Sequence, residues 1–133
     1  MISIENQVFQ AVYDAVIALF PAARIESTLN LDPAEFPCVF IEEVDNSTYI
    51  QTIDSGSYEN HASVTFELNV YSNKKSGRKA EAKDIFGIAD EVLIGWGFSR
   101  MSRTPAQMDD GTKYRIIARY QGVVSKDGII YRR

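Results

Sequence analysis

Cysteine and histidine are almost absent from this chain of 133 residues, which contains one of each, Cys38 and His61. A lone cysteine cannot form a disulfide within the chain, and its place in an apolar run is typical of a buried, inert thiol in a reducing compartment. A single histidine with no nucleophile motif argues against a serine or cysteine hydrolase. Zinc spacing and a complete calcium loop are also missing. We therefore expect a protein that is not an enzyme, with no catalytic residue, no metal and no cofactor.

Long hydrophobic runs are missing too. The longest, such as Val16–Phe20, are far too short to cross a bilayer, and no basic region precedes an apolar one at the N-terminus. The glycines at Gly77 and at Gly95–Gly97 fit neither a P-loop nor a dinucleotide fingerprint. Because no linker, repeat or low-complexity segment interrupts the chain, we expect a single domain over residues 1–133, no export signal and no membrane partner.

Basic residues are scarce in the first half of the chain. Residues 1–70 hold one, Arg24, against eleven acidic residues, whereas residues 71–133 hold thirteen basic against seven acidic, which gives −10 and +6. In one interpretation, strands and helices interleave in space and the two signs neutralise each other within a monomer. In the other, an acidic face of one copy meets a basic face of the next, a head-to-tail contact that closes into a ring or continues as a filament.

The most regular pattern that is present runs from His61 to Phe98. Apolar and polar residues alternate from Ala62 to Ser72, which predicts a strand with one wet face. From Ala80 to Ile94 the apolar residues recur every three or four positions, which predicts a helix that needs a sheet to lie on. Strand, loop and helix together predict the architecture, but not the function.

Capping residues and a proline mark the expected helix ends. Ser76 is the predicted N-cap of the helix that runs to Ile94, and Gly95 and Gly97 predict its C-terminal stop. An earlier helix follows Ser3, and Pro21 ends it.

Short alternating or apolar runs predict the remaining strands. They are Arg24–Thr28, Pro37–Val44, Thr48–Ile53, Phe98–Arg103, Lys113–Val124 and Ile129–Tyr131. Asp54–Asn60 predicts a polar hairpin tip, and Asp127–Gly128 predicts a type I′ turn. The order of elements favours an α+β fold, with a mostly antiparallel sheet, an N-terminal helix and a second helix packed on one face.

Two segments are the predicted contact surfaces. One is the hairpin tip, in which Gly56 between two serines gives the backbone freedom and Tyr58 offers a large area to bury; it is either an ordinary loop or a segment that becomes ordered on a partner. The other is a basic loop whose cations oppose the dipole of the following helix. The residues are Asp54, Ser55, Gly56, Ser57, Tyr58, Glu59 and Asn60, and Lys74, Lys75, Arg78 and Lys79.

Several short motifs, taken in order, carry a family resemblance. They are Asn69–Asn73, the helix with Ala82, Ile85 and Val92–Leu93, the exit Gly97–Arg100, and the ending Arg119–Val124 with Asp127–Arg132. From about Pro37 onward the chain resembles the tail terminator (tail completion) proteins of long-tailed phages and prophages. The resemblance rests on the order of the motifs, since each motif is short and degenerate.

The resemblance implies a small α+β structural subunit that forms a homo-oligomeric ring, usually a hexamer, on the end of the tail tube. There it stops polymerisation of the tube protein and joins the tail to the head–tail connector proteins. It implies a location in the virion tail, and in the host cytoplasm while particles are assembled. It leaves open that DNA passes through the lumen of the ring without sequence-specific binding. Three alternatives remain: another neck or head-completion subunit, a small nucleic-acid-binding module that uses the basic loop 74–79, and a small enzyme completed by another chain.

Overall fold

The structure, a computed structural model, describes residues 3–28, 33, 35–48, 61–106, 111–125 and 130–131. In chain order its elements are α1 (Glu5–Leu19), β1 (Arg24–Glu26), β2 (Cys38–Thr48), β3 (His61–Ser72), α2 (Arg78–Trp96), β4 (Ser99–Ala106), β5 (Tyr114–Ser125) and β6 (Ile130–Tyr131). The strands form one six-stranded sheet in the order β1, β2, β3, β5, β4, with β6 paired to β5. β1 lies parallel to β2, and the other described pairs are antiparallel. The predicted α+β class is confirmed.

The core lies between one face of the sheet and the two helices. Alternate side chains of β3 point to this face and are fully buried, namely Ala62, Val64, Phe66, Leu68 and Val70. Each helix buries residues spaced three or four apart, which are Val8, Val12 and Val16 of α1 and Ala82, Ile85, Phe86, Ala89 and Leu93 of α2. The apolar side chains that recur every second residue in the strand and every three or four residues in the helices therefore pack in one cluster.

The two helices lie on the same face and run in opposite directions. Glu5, at the start of α1, accepts a hydrogen bond from the Glu43 N–H of β2 at 3.1 Å. The chain that leaves α1 reaches Arg24, which pairs with Cys38 at the beginning of β2. α2 starts at that same end of the sheet, because the Ser72 hydroxyl at the end of β3 donates to the carboxylate of Glu81, 2.7 Å away.

The observed helix ends correct two capping predictions. Gly77, not Ser76, is the N-cap residue of α2, and its φ of 86° is a left-handed conformation that a side chain disfavours. Gly95 lies inside α2, whereas Gly97, with φ of 108°, ends it as predicted. The N–H of Gly97 donates to the carbonyl of Ile94 and that of Phe98 to Leu93, which is the hydrogen-bond pattern of a Schellman motif.

β2 is longer than predicted. The sequence predicts a strand that ends at Val44, but β2 continues to Thr48 and stays paired with β3. The register shifts between Glu43 and Asp45, which makes Val44 the extra residue of a β-bulge. A bulge lets the strand continue past the point where its alternation breaks. The predicted strand Thr48–Ile53 lies outside the described residues except for Thr48, which belongs to β2.

The C-terminal strands follow the predicted pattern. Tyr114, Ile116, Ala118 and Tyr120 of β5 alternate toward the helices, while the exception, Ile117, pairs with Asn69 on the opposite face. Ile130 and Tyr131 fold back to pair with Val124 and Val123, as the hairpin prediction requires. The turn itself, residues 126–129, lies outside the described part of the chain.

β4 forms one edge of the sheet. Its residues from Arg100 to Pro105 are all exposed, and a second register shift places Met101 in a bulge with 61% of its surface accessible. Two arginines, Arg100 and Arg103, and one proline therefore lie on a strand whose outer side is not paired in the described structure.

Truncating Phe86 tests the position of α2. Phe86 is 5% exposed, and the guanidinium of Arg103 lies 5.0 Å from its ring centroid. Phe86→Ala should lower the free energy of unfolding by about 3 to 5 kcal/mol, because it removes buried area and leaves a cavity. Met101→Ala is the matched control and should change it by less than about 0.5 kcal/mol. Equal denaturant midpoints for the two variants would contradict the packing described here.

Candidate functional site

The predicted contact residues divide into two groups. Asp54–Asn60 lie outside the described residues, so their contact role stays a prediction. Lys74, Lys75, Arg78 and Lys79 lie in the loop that joins β3 to α2 and in the first turn of α2. The structure gives these four residues a defined setting, and their contact role also stays a prediction.

Hydrogen bonds fix the shape of the basic loop. Arg78 donates to the carbonyl oxygen of Gly111 at 2.8 Å and to that of Lys75 at 3.4 Å. The Lys74 N–H donates to the Ser72 hydroxyl, which in turn donates to Glu81 on α2. The loop is therefore tied at both ends to its own helix and to the chain that precedes β5. Arg78 supports the loop, whereas the three lysines are left to face outward.

The three lysines make a cationic surface, called here the lysine end. Lys74, Lys75 and Lys79 are exposed, and within the described part of the chain no salt bridge joins them to a carboxylate. The N-terminus of α2 adds to their positive potential, since its N-cap, Gly77, has no side chain to accept from the first N–H groups. An anionic group of a partner would be favoured at this place.

Carboxylates collect near the middle of β2, away from the lysine end, in a group called here the acid end. It consists of Glu5 at the start of α1 and of Glu43 and Asp45 on either side of the bulge in β2. Burial raises the pKa of the Glu43 carboxyl, and the charges of Glu5 and Asp45 raise it further, while a hydrogen bond from Asn46 acts the other way. Negative charges here repel one another, so a cation would be favoured.

The outer face of the sheet, opposite α1 and α2, carries a cross-strand polar network. Arg119 of β5 pairs with Glu67 of β3 at 2.9 Å. Arg115 donates to the side-chain oxygen of Asn69 from two nitrogens, at 3.0 and 2.7 Å, and Asn69 donates to Glu67 at 3.1 Å. Asn69 is only 1% exposed, so these bonds satisfy a buried amide. Glu67 and Asn69 are therefore both matched within the monomer.

A small aromatic cluster closes one end of the outer face. Cys38, Phe40 and Tyr71 are buried together, and the rings of Phe40 and Tyr71 meet edge to face at 5.7 Å. Arg115 lies over the ring of Tyr71, 5.0 Å from its centroid. Burial, and to a smaller extent Glu26, raises the pKa of the Cys38 thiol to about 12. The prediction that Cys38 is buried is confirmed.

Asp90 of α2 joins the second helix to the sheet. Its carboxylate accepts from the hydroxyl of Tyr120 at 2.5 Å and from the guanidinium of Arg100 at 2.9 Å. The hydrogen bond from Arg100 to Asp90 raises the pKa of Arg100, and burial raises that of Tyr120. Sequence reasoning missed this group, because helical spacing marks Asp90 only as a polar position beside the apolar stripe. The partners depend on how β4 and β5 are paired.

Three further features bear on other kinds of function: the histidine, the possible metal ligands and the length of the apolar helices. His61 is half-buried at the start of β3. Among the described residues, no three side chains of histidine, cysteine, aspartate or glutamate are placed to hold a metal ion. No described helix is both long and apolar enough to span a membrane.

Comparisons with known proteins give structural matches alone. No protein-family model matches the chain, and no curated protein matches it. A chain in the virion of the native gene transfer agent (GTA) particle matches with a TM-score of 0.57 and 12% identity, over 86% of this chain and 88% of that one. The gp17 protein of bacteriophage SPP1 matches with a TM-score of 0.40 and 20% identity, over 87% and 88%. The first likeness shows that this chain shares its fold with a chain of a virion particle.

Replacing Glu43 tests the cost of its charge, which burial and the neighbouring carboxylates both increase. A raised pKa means that ionised Glu43 weakens the folded state, and the penalty fades as pH falls through that raised pKa toward the ordinary value of 4.5. Glu43→Gln, which keeps an acceptor for Asn46, should therefore raise the melting temperature at pH 7 and change it little below about pH 4. Glu91→Gln, on the exposed side of α2, is the control. A gain that is the same at both pH values would rule out the charge of Glu43 as its cause.

Proposed function

We propose that this chain is a structural protein of a phage-type particle, built into the tail or the neck. The observation that carries the proposal is the fold shared with a chain of a gene transfer agent virion over 86% of this chain. The order of motifs that resembles tail terminators supports the same location in the virion. On this proposal the chain works by contact with other virion proteins rather than by catalysis.

In the more specific form of the proposal, copies of the chain form a ring of six on the end of a finished tail tube. The ring stops polymerisation of the tube protein and presents a surface to the head–tail connector, and DNA passes through its lumen without sequence-specific recognition. The separate lysine and acid ends support contacts between copies, because a ring built from identical subunits needs two different, complementary surfaces on each. The chain then belongs to the virion tail, and to the host cytoplasm while particles are assembled.

A nucleic-acid-binding module is the second candidate, favoured by the exposure of Lys74, Lys75 and Lys79. Affinity for DNA would then fall steeply with salt, since phosphate contacts release counterions. A neck or head-completion subunit of the same fold is a variant of the first proposal and differs in where the chain lies along the particle.

Two experiments test the proposal: locating the chain in the particle and removing its gene. An affinity tag fused to the chain should appear by gold-labelled electron microscopy at one place, the head-proximal end of the tail. Removing the gene should give tubes of uncontrolled length without heads, since nothing stops their growth. Restoring the gene should restore both features. Particles with normal tails and heads that lack the chain would refute the proposal.

Shortening the predicted hairpin tip tests a contact outside the described residues. Replacing Asp54–Asn60 by Asn-Gly should leave the thermal stability of the monomer nearly unchanged, because loop length adds little to the free energy of folding. Tails made with this variant should fail to terminate or to join heads if Tyr58 anchors the tip on a partner. Tyr58→Ala alone should show the same defect in milder form. Normal infectivity with the shortened tip would show that it is a connection only.

A further inference from the structure

The lysine end and the acid end are too far apart to neutralise each other within one molecule. Glu43 pairs with Phe66 of β3, whereas the basic loop follows Ser72, further along the same strand. At about 3.3 Å per residue the two levels are roughly 20 Å apart. At physiological salt, exposed charges that are more than about 8 Å apart are largely screened from each other. The lysine end and the acid end of one molecule therefore do not neutralise each other.

Several other charges in the described structure have partners. Glu67 pairs with Arg119, Asp90 with Arg100, and Arg24 with two glutamates. Lys74, Lys75 and Lys79 have no such partner among the described residues, and neither does the acid end, where like charges crowd together. The lysine end and the acid end therefore carry unmatched charges of opposite sign at two different levels along β3.

We propose that the lysine end of one copy binds the acid end of the next copy, in a head-to-tail contact. The inference rests on the proposed function and names the surfaces through which the subunits of the ring meet. Lys74, Lys75 and Lys79 face Glu5, Glu43 and Asp45 of the neighbour. Each copy uses both ends, so the contact is heterologous and repeats from copy to copy until it closes.

A second copy fits these surfaces better than a nucleic acid does. A nucleic acid would neutralise the lysine end alone and leave the repulsion among Glu5, Glu43 and Asp45 in place. A second copy neutralises both ends at once, with the number of lysines equal to the number of carboxylates. Complementary charges of this kind mainly set orientation and rate of association, so salt should weaken the contact.

A pair of charge-reversed variants tests the contact. The first carries Lys74→Glu, Lys75→Glu and Lys79→Glu, and the second carries Glu43→Lys and Asp45→Lys. Arg78 is kept, because its guanidinium holds the carbonyl of Gly111. In sedimentation velocity at low salt, wild-type chain should associate as its concentration rises, and each variant alone should need at least about tenfold more protein.

An equal mixture of the two variants gives the decisive measurement. The altered end of each variant is complementary to the altered end of the other, and the unaltered ends are complementary as well, so the mixture should associate with the two alternating. Lys83→Glu with Asp84→Lys, two exposed neighbours on α2, is the control that should associate like wild type. If a charge-reversed variant does not fold by circular dichroism, Lys74→Gln with Lys75→Gln and Glu43→Gln with Asp45→Asn replace the pair, each expected to weaken association.

Three results would overturn the inference. The first is a wild-type chain that stays monomeric at the highest concentration and lowest salt. The second is association that the variants leave unchanged, in which case the copies meet elsewhere and the proposed role in the particle stands on the tagging experiment. The third is salt-dependent binding of a short DNA duplex that the lysine reversal abolishes while self-association is unaffected.

Discussion

Burial of β3 on one face is the constraint on which the rest of the structure depends. The strand pairs with β2 on one side and with β5 on the other, and its helix-facing side chains are fully buried. A slip of one residue would turn all of them toward water, so the registers of both neighbouring strands are set by the same burial. α2, which follows β3 after a short loop, folds back over the sheet, and α1 completes the cover.

The first interpretation of the charge split, neutralisation within a monomer, holds for part of the molecule. On the outer face, Glu67 from the acidic half of the chain meets Arg119 from the basic half, so the signs cancel within the monomer. The loop before α2 and the bulge of β2 have no such match in the described structure. Pairing of strands from the two halves thus cancels part of the imbalance within the monomer, and the lysine end and the acid end are two described places where it does not.

Patterns that arise from burial on one face could be predicted from the sequence. Both helices, β3 and the hairpin return of β6 come from periodicity and turn residues, because a buried face imposes its spacing on the chain. Features that depend on pairing could not be predicted. The bulge at Val44 exists only against β3, the partners of Asp90 come from two other strands, and Gly77 displaced Ser76 as N-cap because the loop there turns through a left-handed residue.

On the proposed function, in which subunits wait for their partners, β4 has a further consequence. Its arginines, its proline and the bulge at Met101 oppose the addition of another strand to the open edge of the sheet. On the proposed function, copies would then meet through side chains rather than fuse into a continuous β-structure, which would be close to irreversible. Contacts between side chains can break and form again, so a misplaced copy of such a subunit could leave and be replaced. An edge that resists strand addition would also oppose aggregation of such subunits before they assemble.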